Sequence, residues 1–171
     1  AKNMANIPIE FQEGFKELPN SISFLEMEHV GKVNQLNIIN RWQSNDATTS
    51  LKAEVGVDER GDLMYLDLHE KYHGPHGLIA GMTGSGKSEF IITYILSMAI
   101  NYSPDDVAFI LIDYKGGGLA FAFENKTNGI ELPHLAGTIT NLDKAEMDRT
   151  LVSIDSEIKR RQQIFNESRD A

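Results

Sequence analysis

Residues 81–88 read GMTGSGKS and match the pattern G-x-x-x-x-G-K-[ST] at every fixed position. Glycines let the backbone of such a loop curl with its N–H groups pointing inward, and the helix that follows adds the positive end of its dipole. The amine of Lys87 can then reach the β- and γ-phosphates of a nucleotide, and the hydroxyl of Ser88 can ligate Mg²⁺. The sequence predicts a nucleotide-phosphate and magnesium site made by Gly81, Met82, Thr83, Gly84, Ser85, Gly86, Lys87 and Ser88.

Two acidic residues are further candidates for this site. Glu89 directly follows the loop, where it either faces the Mg²⁺ shell or is a first-turn acid favoured by the helix dipole. Asp113 ends the apolar run FILID. In phosphoryl-transfer enzymes, the aspartate that positions Mg²⁺ likewise follows an apolar strand. The next residues are Tyr114 and Lys115, so no acid follows directly to activate water. A structural role for Asp113, capping a turn, therefore stays open.

Three histidines upstream of the loop have the spacing H-x₃-H-x₂-H, which resembles that of metal ligands. They are His69, His73 and His76, and Gly74 and Pro75 between them break any helix that would place all three on one face. We expect a loop that frames the nucleotide pocket, with a metal site as the alternative.

Two basic stretches have either a functional role or only a structural, solvent-exposed one. Residues 115–118 read KGGG and could form a second phosphate-binding nest, but no suitable helix is predicted to follow them. Residues 159–161 read KRR. We expect them to lie on a solvated face; the alternative is that one of the arginines acts across a subunit boundary.

The elements around the loop are predicted from apolar periodicity and turn residues. Alternation and the turn DERG predict a β-hairpin over 51–68. A short strand at 78–80, the glycine loop, an apolar helix over 90–100 and a strand over 107–112 make a βαβ unit. Such a unit implies an α/β fold with a parallel sheet and helices on its faces.

Helices are also predicted on both sides of this unit. A short helix over 36–42 contains Trp42, which we expect to be a packing anchor. After a strand over 136–139, residues 141–167 form a long amphipathic helix. We expect its apolar stripe to pack on the sheet; the stripe consists of Met147, Leu151, Ile154, Ile158 and Phe165.

Composition sets the protein class. The 171 residues suit one globular domain, and 41% of them are hydrophobic. The net charge of −9, from 16 basic and 25 acidic residues, argues against nucleic acid as a partner. The chain has no cysteine, no signal-peptide pattern and no apolar run of the roughly 20 residues that span a bilayer. We expect this chain to be soluble, whether or not its parent protein is.

Four strings resemble the FtsK/SpoIIIE class of RecA-like ATPases. They are HGPHGLIAGMTGSGKSEF, LIDYKGGGLAFAFEN, LPHLAGTITN and EIKRRQQIFNE. Within that class the chain looks most like the membrane-bound motors of type VII (ESX/Ess) secretion, the EssC/EccC family. The resemblance covers residues 23–168, and the loop string and DYKGGG are its most specific parts.

The resemblance implies a RecA-like P-loop core, with an irregular arm over 1–50 and the N-terminal part of an ATPase domain over 51–171. The nucleotide-binding core would be 77–171, and residues 81–88 would bind ATP with Mg²⁺. ATP hydrolysis in the parent protein would drive protein export. The implied partners are adjacent ATPase modules, exported small helical-hairpin proteins and a membrane-embedded secretion complex. The implied location is the cytoplasmic side of the bacterial cell membrane.

The chain departs from the family pattern in one respect. Such ATPases carry a later apolar strand ending in Asp-Glu, and no such strand follows the helix that contains residues 157–167. We therefore expect these 171 residues to bind ATP without turning it over. A DNA-translocating motor and a regulatory nucleotide-binding module remain the alternatives.

Overall fold

The computed structural model describes residues 21–113, 118–125, 129–140 and 144–169. The chain divides into two compact units, Ala1–Val107 and Ala108–Ala171. The histidine loop and the glycine loop lie in the first unit, and Asp113 lies in the second.

The first unit consists of short helices, a hairpin and one long helix. In chain order these are α1 (Phe24–Met27), a 3₁₀ turn (Val33–Leu36), α2 (Ile38–Ser44), β1 (Lys52–Val57), β2 (Leu63–Asp67) and α3 (Lys87–Asn101). The predicted helix over 36–42 is therefore a 3₁₀ turn followed by α2.

Strands β1 and β2 pair antiparallel, which confirms the predicted hairpin. Its turn is formed by local chemistry. The carboxylate of Asp58 accepts hydrogen bonds from the backbone N–H groups of Arg60 and Asp62, at 2.8 and 2.9 Å. Gly61 has a φ of 83°, a conformation that costs a residue with a Cβ. The turn is therefore held by hydrogen bonds within residues 58–62.

Helix α3 packs on β1 and on α2. It extends the predicted helix by three residues at its start and one at its end. Its buried residues all lie in its second half: Ile95, Ser97, Met98, Ala99, Ile100 and Asn101. The helix is therefore anchored by its C-terminal half, and its first turn faces outward.

The prediction of a strand at residues 78–80 is wrong for this structure. The segment has no strand assignment, and the side chain of Leu78 is 94% exposed. An apolar segment becomes a strand only when a neighbouring strand supplies hydrogen-bond partners. Within the described residues of the first unit, β1 pairs with β2 and neither pairs with this segment.

The second unit contains a small parallel sheet. Its elements are β3 (Phe109–Ile112), α4 (Gly118–Phe121), β4 (Glu124–Asn125), β5 (Ile130–Glu131), β6 (Leu135–Ile139) and α5 (Lys144–Arg169). Strands β3 and β6 pair in parallel, as the predicted α/β fold requires, and β4 pairs antiparallel with β5. The predicted strands over 107–112 and 136–139 correspond to β3 and β6.

The apolar stripe of α5 does not pack on the sheet as predicted. Leu151, Ile158 and Phe165 are 58%, 49% and 66% exposed, whereas Ile154 is half-buried in a groove beside β6. The side chain of Met147 lies outside the described residues. A helix of 26 residues is about 39 Å long, whereas a strand of five residues spans about 17 Å. A sheet of this size covers only a short part of the helix. No helix in the described ranges is long and apolar enough to cross a membrane.

A buried polar network joins the N-terminal helices to α3. The guanidinium of Arg41 donates to Glu28 Oε2 at 2.7 Å and to Asn101 Oδ1 at 3.1 Å. The amide of Asn101 and the hydroxyl of Ser97 both donate to Glu54 Oε2, at 2.7 and 2.8 Å. The Glu28 side chain is only 3% exposed. Burial raises the pKa of Glu28, the charge of Arg41 opposes that rise, and Glu54 adds to it.

Trp42 and Asn45 add two contacts at the same end of α3. The indole N–H of Trp42 donates to the Ala99 carbonyl at 3.0 Å, and the side-chain amide of Asn45 donates to the Asn101 carbonyl at 2.9 Å. The interpretation of Trp42 as a packing anchor is thus confirmed.

We expect Arg41→Ala to lower the free energy of unfolding by about 3 kcal/mol, because it leaves the buried Glu28 carboxylate without its counter-charge. The loss should shrink as the pH falls from about 7 towards about 5. The pKa of Glu28 is raised in the folded state, so protonation of Glu28 stabilises that state. This stabilisation is larger in the variant, because the Arg41 guanidinium no longer opposes the rise. Urea unfolding at several pH values, followed by circular dichroism, measures both effects.

Lys159→Ala is the matched control. It also removes a cation from an ion pair, but Lys159 and Asp155 are 71% and 61% exposed. Its effect should stay within about 0.5 kcal/mol. Similar losses in the two variants would contradict the role given to the buried network.

Candidate functional site

The glycine loop adopts a backbone path that its glycines make possible. Gly84 and Gly86 have φ values of 81° and 87°, in the left-handed region that residues with a Cβ rarely adopt. A Cβ on Gly81 would lie 2.5 Å from the hydroxyl oxygen of Ser85, so the loop closes tightly at this point. The loop thus turns sharply before the start of α3.

The start of α3 offers backbone donors to a ligand. Its N-cap is Gly86, which has no side chain to accept a hydrogen bond, and the first helical bond runs from Phe90 N–H to the Gly86 carbonyl at 2.9 Å. The N–H groups of Lys87, Ser88 and Glu89 precede that bond and have no acceptor inside the helix. Together with the helix dipole, they form an anion-binding end.

Lys87 places its charge inside the curve of the loop. Its ammonium donates to the carbonyls of Gly81 and Met82, at 2.7 and 2.6 Å. A cation beside uncapped N–H groups suits a chain of phosphates, so the residues present fit a nucleotide. Ser88, in the first turn of α3, is exposed, and its hydroxyl is accessible to a phosphate-bound Mg²⁺. The exposed Glu89 comes next, and its part in the Mg²⁺ shell remains a prediction.

Asp113 follows β3 in the second unit. Its N–H donates to the Ile139 carbonyl at 2.9 Å, and its carboxylate accepts from the Leu119 N–H at 3.3 Å. These bonds suit the alternative in which Asp113 caps a turn. Because the loop and Asp113 belong to different units, a role for Asp113 at the magnesium stays a prediction.

Two of the three histidines hold the segment that leads to the glycine loop. His69 Nε2 lies 3.0 Å from the Thr48 carbonyl, and His73 Nδ1 accepts from the Asp67 N–H at 3.1 Å. Over the described part of the chain, no group of three His, Asp, Glu or Cys residues is placed to hold a metal ion. The metal alternative for His69, His73 and His76 therefore has no structural support here.

Asp67 accepts several hydrogen bonds that fix the surrounding backbone, a role that sequence analysis missed. It is 7% exposed and accepts hydrogen bonds from the Ser50 hydroxyl and from the N–H groups of Leu51 and His69. Burial by itself raises the pKa of Asp67, but these hydrogen bonds outweigh it and hold the pKa below its usual value. An aspartate at a strand end followed by a turn is the only sequence signal, and it is a weak one.

The basic run in α5 is paired within its own helix. Lys159 contacts Asp155 at 2.6 Å, and Arg160 and Arg161 both donate to Glu157. The hydrogen bonds from Arg160 and then Arg161 lower the pKa of Glu157 to about 2. This arrangement is typical of a solvated helix face. Of the predicted nest at 115–118, residues 115–117 lie outside the described residues.

Comparison with known proteins connects this loop to one family. The FtsK/SpoIIIE family model matches residues 36–170. The type VII secretion system protein EssC of Staphylococcus aureus is 50% identical over 167 residues, which are 98% of this chain and 11% of that protein. The ESX secretion system protein YukB of Bacillus subtilis is 49% identical over 152 residues, which are 88% of this chain and 10% of that protein. The chain thus spans about a tenth of the length of these relatives.

A solved structure agrees in fold. The cytoplasmic domain of the Thermomonospora curvata type VII secretion ATPase EccC matches with a TM-score of 0.72 and 31% identity. The match covers 85% of this chain and 17% of the other. This likeness supports the α/β, RecA-like fold expected from the sequence.

We expect Gly86→Ala to destabilise the chain by about 1 kcal/mol, because alanine is strained at a φ of 87°. Gly56→Ala is the control, since a Cβ at either position would meet no atom within 4 Å and only Gly86 has a positive φ. Urea unfolding compares the two. Equal stability of the variants would contradict the strained loop path.

Proposed function

Because the chain belongs to the FtsK/SpoIIIE family, we propose that it is an ATP-binding module of a motor ATPase that powers protein export by type VII secretion. The observation that carries the proposal is the geometry of residues 81–88. Two glycines with positive φ, three uncapped N–H groups and a lysine ammonium converge on one small loop. This arrangement supports binding of the phosphates of ATP, and family membership supports the use of nucleotide and Mg²⁺.

Each loop residue has a role that follows from its place. The N–H groups at the start of α3 would bind phosphate oxygens, and the α3 dipole would favour their negative charge. The Lys87 ammonium would leave the Gly81 and Met82 carbonyls and bind the β- and γ-phosphate oxygens. The Ser88 hydroxyl would ligate Mg²⁺, which neutralises phosphate charge when it is bound.

The wider function is proposed from the relatives. EssC and YukB are named as secretion system proteins, and EccC as a type VII secretion ATPase with a cytoplasmic domain. We infer that the parent protein hydrolyses ATP on the cytoplasmic side of a bacterial membrane and works with further ATPase modules, a secretion complex and small helical-hairpin substrates. A DNA-translocating role is disfavoured by the net charge of −9.

Lys87→Ala should abolish measurable binding of Mg·ATP, because the loop would lose the cation that faces the phosphates. Isothermal titration calorimetry of the 171-residue chain measures this. Lys71→Ala removes the same charge from the exposed loop upstream and should bind as the wild type does. Equal affinity of the Lys87 variant and the wild type would exclude the phosphate-loop function.

Asp113→Asn separates the two roles left open for Asp113. An asparagine oxygen can still accept from the Leu119 N–H, but it lacks the charge that attracts Mg²⁺. We expect unchanged Mg·ATP affinity, as the capping role requires. A loss of about tenfold or more, with unchanged affinity for ATP in the absence of Mg²⁺, would instead assign Asp113 to the metal.

A further inference from the structure

We propose that residues 37–45, here called the capping segment, are thermodynamically coupled to the nucleotide site through α3, because the two stabilise opposite ends of that helix. The inference rests on the proposed function, since it takes the ligand of the loop to be Mg·ATP. Helix α3 has 15 residues, so its two ends lie about 22 Å apart. The capping segment therefore acts on the site without touching it.

The capping segment supplies hydrogen-bond donors to the last turn of α3. The final carbonyls of a helix have no partner within it. Trp42 Nε1 donates to the carbonyl of Ala99 at 3.0 Å, and Asn45 Nδ2 donates to that of Asn101 at 2.9 Å. Both donors come from side chains outside α3 and more than fifty positions away in sequence.

The charge of Arg41 also favours docking of the capping segment on the C-terminal end of α3. The Arg41 guanidinium lies beside the last residue of α3 and donates to Asn101 Oδ1 at 3.1 Å. A positive group at this end complements the negative end of the helix dipole. Met98, Ala99, Ile100 and Asn101 are all buried, so release of the capping segment would expose the turn that anchors α3.

The other end of α3 depends on a ligand in the same way. The N–H groups of Lys87, Ser88 and Glu89 have no acceptor inside the helix, and phosphate oxygens would supply one. We take residues 87–101 to become ordered as one helix, so that phosphate at the first turn and the capping segment at the last turn both bind the ordered form. Each therefore favours binding of the other, and the effect is reciprocal. The size of this coupling is limited by how far the ends of α3 fray when neither phosphate nor the capping segment is bound.

Trp42 makes the coupling measurable, since it is the only tryptophan in the sequence. Trp42 is half-buried, so quenching of its fluorescence by acrylamide reports how firmly the capping segment is docked. Saturating Mg·ATP should reduce this quenching in the wild type and leave it unchanged in Lys87→Ala. A capping segment with only a local structural role would show no response to a ligand about 20 Å away.

The reciprocal measurement uses Asn45→Ala, which removes one donor to α3 and keeps Trp42. Its Kd for Mg·ATP should rise about fivefold, at a temperature where circular dichroism shows the chain folded. Ser44→Ala is the matched control, because the Ser44 hydroxyl bonds the Arg41 carbonyl within its own helix. The control should bind Mg·ATP as the wild type does.

Two results would overturn the coupling and leave the proposed function intact. They are wild-type binding of Mg·ATP with unchanged Trp42 quenching, and equal Kd values for Asn45→Ala and Ser44→Ala. Absence of Mg·ATP binding in the wild type would overturn the proposed function, and the coupling with it.

Discussion

The backbone of α3 needs hydrogen-bond partners at both of its ends. The capping segment lies at one end of the helix, and the glycine loop leads into the other. A helix leaves N–H groups free at its first turn and carbonyls free at its last. At the last turn, Trp42 and Asn45 supply donors and the surrounding residues are buried. At the first turn, Gly86 leaves the N–H groups open to an anion. One end is thus fixed by the protein, and the other is left for a ligand.

The polar network beside α3 specifies how the N-terminal helices dock. The carboxylate of Glu28 accepts directly from the Arg41 guanidinium, and that of Glu54 is linked to the same guanidinium through Asn101. Burying such charges is costly, and a hydrophobic contact of the same area would be at least as stable. Hydrogen bonds have direction, however, so the bonds from Arg41 to Glu28 and Asn101 specify one arrangement of α2 on α3. We infer that it serves the accuracy of docking more than its strength.

Features that depend on neighbouring residues were predicted well from the sequence. The glycine loop, the presence of a helix directly after it and the hairpin all follow from glycine conformations, local hydrogen bonds and apolar periodicity. Two predictions that needed a distant partner failed. Residues 78–80 have the composition of a strand but no neighbouring strand to pair with in the described first unit. The stripe of α5 is amphipathic, but the small sheet does not cover Leu151, Ile158 or Phe165.

The sequence by itself determined the chemistry of the loop. GMTGSGKS places glycines where the backbone must turn and puts a lysine and a serine at the helix start, all within eight residues. Only the tertiary structure decided what holds the far end of that helix. The contacts of Trp42 with Ala99 and of Asn45 with Asn101 join positions 57 and 56 residues apart. No local pattern encodes such pairs, because they arise only when chain folding brings a side-chain donor to an open carbonyl.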